Sequence, residues 1–192
     1  MSGRGSERAD ETWVALLRAV NLGGRNRVPM EELRRVFEAA GSTDVRTYIG
    51  SGNVVFRHES ADRSTLARTL EARVEKAFGV KSSVILRTGS ELRGVASAEP
   101  FGAGTPPSHV TFLAADPDPA ALRRLEELDV APDQFRVTGP DVFLHYPNGV
   151  QGSKLTNALV ERVLGVAATN RTARTVARLA EMAAEAADEP TA

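Results

Sequence analysis

The chain contains no cysteine and only three histidines in 192 residues. The missing thiols exclude disulfides, iron–sulfur clusters, thiolate nucleophiles and cysteine-type zinc sites. His58, His109 and His145 lie too far apart for a metal-ligating motif such as H-E-x-x-H. No metal and no cofactor is therefore expected. Aromatic residues make up only 5% of the chain, which leaves few rings for stacking nucleic-acid bases. No apolar run approaches the ~20 residues of a membrane span, and no membrane partner is expected. Charge of one sign is lacking as well. The 24 basic and 25 acidic side chains leave a net −1, which argues against a basic nucleic-acid coat or an acidic solvating tail. No G-x-S-x-G elbow marks a serine nucleophile. The polar start has no signal-like run, so a cytoplasmic location is expected.

What is present is a patterned globular chain, 42% hydrophobic. The apolar run from Trp13 to Val20, broken only by Arg18, predicts a buried strand near 13–19. A glycine-rich loop, Asn21 to Arg27, follows. Pro29 suits a first helical position, with Glu31 and Glu32 at the positive end of the helix dipole. Met30, Leu33, Val36, Phe37 and Ala40 keep helical spacing up to Gly41. Two short strands are predicted at 45–49 and 53–57, around the turn Gly50-Ser51-Gly52-Asn53. Leu66, Leu70, Val74 and Phe78 predict a second helix ended by Gly79, and a strand follows near 83–87. The order β-α-β-β-α-β is the ferredoxin-like pattern.

The second half echoes the first. Leu33-Arg34-Arg35 has a counterpart in Leu122-Arg123-Arg124, 89 residues on, and the next two correspondences fall at offsets of 90 and 88. They predict strands near 109–114, 134–138 and 141–146, and a helix over 155–164. A closing strand follows around 168–170, then a helix from Thr172 to about Ala187. The expected fold is thus α+β, two tandem ferredoxin-like halves packed together with a C-terminal helix. Its boundaries are a flexible leader over 1–11, a first half over 12–97, a Gly- and Pro-rich hinge over 98–108, a second half over 109–171, and a C-terminal helix and tail over 172–192. Leu16, Val36, Phe37, Val55 and Phe112 fall on the apolar phase of their elements and are the predicted core.

Three stretches resemble the bacterial domain-of-unknown-function 1697 family. They are Ala15 to Gly24 leading to Val28-Pro29-Met30, then Val45 to Ile49 with Ser51 to Phe56, and His145-Tyr146-Pro147 with Ser153 to Asn157. The resemblance implies a tandem α+β arrangement and no established activity. The chain departs from that family's pattern at Gly50, where glutamine is common, and at Ala19, where glycine is common. A further departure is Thr172-Ala173-Arg174, in place of a more usual Asn-Trp-Asn run.

Three constellations are candidates for chemistry. The loop after the first strand carries Arg18, Asn21, Gly23, Gly24 and Arg25. Glycines let backbone amides approach an anion, and arginines make charge-assisted bonds to phosphate or carboxylate. The alternative is a solvated hairpin-like loop with arginines at its rim. The second is Gly149 to Asn157, where Ser153 would open a helix carrying Lys154 and Asn157; its plain reading is an ordinary N-cap beside a solvated lysine. The third is Arg171, with Arg174 and Arg178 at helical spacing. From Val150 to Arg178 five basic residues accompany one acid, Glu161, whereas Glu99 to Asp141 carries eight acids and three bases. The predicted site is an anion-binding cleft between the halves, using Arg18, Asn21, Gly23, Gly24, Arg25, Ser51, Asn53, Lys154, Asn157 and Arg171. A small phosphate-bearing or other anionic ligand is the expected partner. The alternatives are a phosphoryl- or acyl-transfer enzyme at the same cleft, or a protein or nucleic-acid interaction module. Nucleic acid ranks lower because Trp13 and Phe56, the rings a recognition sheet would present, read better as core. Nothing in the sequence speaks to oligomeric state.

Overall fold

The structure is a computed structural model and describes residues 11–59 and 62–188. In chain order the elements are β1 (Glu11–Leu17), α1 (Met30–Glu38), β2 (Thr43–Tyr48), β3 (Asn53–His58), α2 (Arg63–Phe78), β4 (Val84–Thr88) and α3 (Gly89–Ala96). The second half follows with β5 (His109–Leu113), α4 (Pro119–Glu126), β6 (Gln134–Thr138), β7 (Asp141–His145), α5 (Asn157–Leu164), β8 (Ala168–Thr172) and α6 (Ala173–Asp188). Two four-stranded sheets result, in the orders β2-β3-β1-β4 and β6-β7-β5-β8, with every pairing antiparallel. Both halves are ferredoxin-like βαββαβ units, each extended by one more helix. Among the described residues no helix is long and apolar enough to cross a membrane.

Strand periodicity sorts the core into layers, because successive side chains point to opposite faces. On β1, Trp13, Ala15 and Leu17 face α1 and α2, where Leu33, Phe37, Leu66, Leu70 and Val74 complete an outer core. Phe37 and Phe56 meet edge to face there, with ring centroids 5.1 Å apart. The second half builds its own outer core from Leu113, Val142 and Leu144 against α4 and α5. The remaining faces of both sheets share a third, central core. Val14, Leu16, Val55 and Ile85 of the first half gather there with Val110, Phe112 and Phe143 of the second, and α3 and α6 fill the space around them. Leu16, Phe37, Val55 and Phe112 are fully buried, whereas Val36 is only partly buried against the outer core. Trp13 and Phe56 are buried too, so the rings a base-stacking sheet would need are inside the molecule.

Several boundaries differ from the sequence expectation. Most of the leader (1–10) and the last residues of the tail (189–192) lie outside the described residues, and Glu11 already belongs to β1. The first strand stops at Leu17, because Ala19 and Asn21 turn left-handed (φ 54° and 53°). Pro29 caps α1 in extended backbone instead of entering it. The eight-residue α3 was not foreseen; it opens on a reciprocal cap in which Thr88 accepts from the Glu91 amide and Glu91 from the Thr88 amide. Helix α5 begins at Asn157 and not at Ser153, since Thr156 is the residue that caps it. The Ser153 hydroxyl instead donates to Asp133 and accepts from the Leu155 amide.

Gly52 joins the first strand pair closely. Its backbone is left-handed (φ 73°), and a Cβ there would lie 2.5 Å from Val20 Cγ2 and 2.8 Å from Leu17 Cβ. In contrast, a Cβ at Gly94, inside α3, would meet nothing within 4 Å. The same substitution should therefore have opposite signs at the two sites. Gly52→Ala should cost about 2–4 kcal/mol from the left-handed backbone and the overpacking together. Gly94→Ala should stabilise by about 0.5–1 kcal/mol through helix propensity. Denaturant midpoints of the two variants check both values.

Candidate functional site

The two halves are tied by buried arginines at equivalent positions, each the fourth residue of the fourth strand. Arg87 on β4 reaches across to the second half. Its guanidinium donates to the carbonyls of Leu113 (3.1 Å) and Pro140 (3.0 Å) and to Asp141 Oδ1 (2.8 Å from Nη2, 3.1 Å from Nε). Arg171 on β8 reaches the other way. It donates to the carbonyls of Leu17 (3.0 Å) and Ser51 (2.9 Å) and to Asn53 Oδ1 (2.5 Å). Each arginine thus meets the last residue of the first strand, the turn before the third strand, and that strand's first residue. Nη1 of Arg171 adds Thr169 Oγ1 and the Asn170 carbonyl, so five donors have five acceptors.

The two ties differ in charge. Arg87 has a carboxylate partner in Asp141, whose carboxyl is pushed above its usual range by burial, with Arg87 opposing. Arg171 is 8% exposed, and every one of its partners is neutral. Burial pushes its guanidinium down to about 10, the expected response of a cation taken from water without a counter-charge.

Arg171 stands in the wall of a cleft of about 430 Å³ between the halves. Leu17 to Val20, Leu22 and Ser51 line it from the first half, and Asn157, Ala158, Glu161 and Ala168 to Arg171 from the second. Arg18 crosses it, donating to both oxygens of Glu161 at 2.5 and 2.8 Å. Glu161 Oε1 also accepts the Ala168 amide at 2.7 Å. The Arg18 hydrogen bond holds the Glu161 carboxyl below its usual range, against the opposing effect of burial. Two arginines and one carboxylate leave the lining at +1, and the unmatched charge belongs to Arg171. Two neutral groups complete the wall. The Ser51 hydroxyl accepts from Asn53, and Asn157 Oδ1 is buried with no partner among the described residues.

Of the ten predicted residues, Arg18, Ser51, Asn157 and Arg171 line this cleft, and Asn53 lies behind them, fully buried on Arg171. The other five are placed elsewhere. Asn21 clamps the loop with its side chain, bonding Val28 twice (2.8 and 2.9 Å) and the Gly50 carbonyl at 2.7 Å. Gly23 and Gly24 are the left-handed centre of a hairpin closed by Leu22 and Arg25; they and Arg25 are exposed. Lys154 is exposed, precedes the α5 cap, and does not line the cleft. Sequence reasoning missed Glu161. The available signal was its standing as the single acid in a basic stretch.

The positions at which the resemblance noted above implies a departure from its pattern also find places here. Ala19, where glycine is common, is left-handed and lines the cleft. At Gly50, where glutamine is common, a Cβ would meet nothing within 4 Å, so crowding does not enforce the glycine. Thr172, in the third departure, accepts the Thr175 amide at the start of α6.

Comparison with known proteins follows the same lines. The model of a family described as "Protein of unknown function (DUF1697)" matches residues 11–143. The solved structure of a conserved bacterial protein from Streptococcus pneumoniae is similar, with a TM-score of 0.71 and 20% identity, over 92% of this chain and 99% of that one. At that identity the likeness shows the fold. No curated protein matches the sequence.

The Arg18–Glu161 tie has a pH signature. A carboxyl held lower in the folded protein than in the unfolded one contributes stability above its unfolded value, and that stability is lost as the pH falls through the carboxylate range. His109, whose pKa burial lowers from 6.5, adds a separate loss that starts nearer that value. Glu161→Gln should therefore be less stable than the wild type at pH 7, and the two should converge toward pH 3 to 4. Thermal melts across that range read the difference.

Proposed function

The chain belongs to the family described as Protein of unknown function (DUF1697), and we propose that it binds a small phosphate-bearing or other anionic ligand in the cleft between its halves. One observation carries the reading. Arg171 is a buried cation with no carboxylate partner, set in the wall of a ligand-sized cleft, whereas its counterpart Arg87 has one. A ligand anion would supply the missing charge. Because all five Arg171 donors are spent, the attraction is electrostatic through the wall and strengthened by the low local dielectric. Direct bonds fall to Arg18, which can exchange Glu161 for a ligand carboxylate or phosphate, and to the Ser51 hydroxyl. Asn157 Oδ1 favours a ligand that also carries an N–H or O–H donor.

Ala158 is an exposed residue of the lining, in the first turn of α5, so a charge of either sign can be introduced there without disturbing the core. In phosphate at matched ionic strength against chloride, the wild type should gain Tm, by the equivalent of about 2.7 kcal/mol at a hundred times Kd. Ala158→Glu should lose most of that gain and Ala158→Lys should keep or enlarge it. Phosphate also stabilises proteins generally by exclusion from their surface, and that part is common to all three. An equal phosphate response in wild type and both variants would refute the proposal.

A further inference from the structure

The cleft at Arg171 is not the largest cavity. One of about 550 Å³ lies on the Arg87 side, between α3 and the turn joining β6 to β7, within the range of small-molecule sites. Part of its wall is apolar, with Val95 and Phe143 both buried and Ala98, Pro100 and Pro140 beside them in the lining. Its charge is opposite to that of the Arg171 cleft. Asp141, Glu91 and Glu99 line it against a single cation, Arg87. That cation is 3% exposed and committed to Asp141 and to the carbonyls of Leu86, Leu113 and Pro140.

The three carboxylates are not equally occupied. Glu91 is bound through both oxygens by Arg63, at 2.6 and 2.7 Å, and also accepts the Thr88 amide. Asp141, 8% exposed, takes both Arg87 contacts on Oδ1, and its Oδ2 accepts no hydrogen bond among the described residues. The Glu99 carboxylate, exposed at the rim, has neither an ion pair nor a hydrogen bond among them. Free carboxylate oxygens therefore stand in the wall of a partly apolar cavity, one on a buried residue and one on an exposed residue.

We infer that this cavity is a second binding site, for an organic cation: a primary amine on a compact apolar body. The apolar portion would lie against Val95, Ala98 and Phe143, and the ammonium would meet Asp141 Oδ2 or Glu99. An anion is disfavoured there by the same carboxylates, so the two cavities select ligands of opposite charge.

The test uses phenethylamine as probe, with phenethyl alcohol as its neutral analogue and 3-phenylpropionate as its anionic one, titrated into the full chain and followed by backbone NMR shifts. The amine should saturate with shifts centred on α3 and the β6–β7 turn, and should bind about tenfold more tightly than the alcohol, the value of one charge-assisted contact. Glu99→Gln should weaken amine binding about three- to fivefold, the size of a solvent-exposed ion pair. Gly94 lines the cavity, and its Cβ direction is open. Gly94→Leu should abolish binding by filling the space, while Gly94→Ala, equally folded, keeps it. Failure of the amine to saturate overturns the inference. So does equal binding of amine and alcohol, tighter binding of the carboxylate, or undiminished binding by Gly94→Leu. None of these outcomes bears on the phosphate response at Ala158, so the two sites stand or fall separately.

Discussion

Two buried arginines hold this molecule in one piece. Arg87 and Arg171 leave the fourth strand of their own half and enter the other half at the same three points. The contact is reciprocal, as at an isologous dimer interface, although both copies lie on one chain. Between the two ties lies the central core. A ferredoxin-like sheet covered by helices on one side leaves its other face bare, and here both bare faces are apolar. Joined, they bury each other together with α3 and α6. Arginine suits this task because its planar fork can serve several carbonyls at once, which a lysine cannot. Removing a partner from such a buried group typically costs about 3–5 kcal/mol.

The ties share a geometry but not a charge, and the reason is local. Asn53 must donate as well as accept: its Nδ2 bonds the Tyr48 carbonyl and Ser51 Oγ while Oδ1 receives Arg171. A carboxylate there would set an oxygen against the Tyr48 carbonyl. The first half therefore pays for its turn with a neutral partner, and Arg171 is left unmatched. Asp141, at the equivalent place, is a carboxylate and neutralises Arg87. One amide in place of one acid leaves Arg171 without a counter-charge where Arg87 has one, and Glu91 and Glu99 add the negative balance of the Arg87 cavity.

How much of this was legible depended on whether the signal was local. The continuous apolar run of β1 and the helical spacing in α1 were enough to place Leu16 and Phe37 inside, and the echo between the halves pointed to two similar units. Helix α3 was hidden because two glycines in eight residues weaken its pattern, although Thr88 and Glu91 at capping-box spacing announced its start. Lys154 was misjudged for a related reason. Ser153 looked like a cap, but Asp133, twenty residues earlier, claims its hydroxyl. The Arg18–Glu161 and Arg171–Asn53 contacts join residues 143 and 118 positions apart, and no periodicity encodes such pairings. Residue type alone could only mark these positions as polar and unexplained.

The loops beside the Arg171 cleft show why such positions are worth their cost. Five non-glycine residues have left-handed backbone among the described residues, and four of them, Ala19, Asn21, Asn26 and Ile49, belong to the β1–α1 loop and the β2–β3 turn. Conformations of this kind cost of order 1–3 kcal/mol each and persist only where neighbours over-determine them. The neighbours here are specific. Asn21 ties its own loop to Val28 and to Gly50 of the turn, and Asn26 returns to the Ala19 carbonyl. The exposed Leu22 and Ile49 are held out on this framework instead of collapsing onto the body. A wall already fixed in this way would spare the proposed ligand much of the entropy cost of ordering it; strain and clamps act together to hold these loops in one conformation.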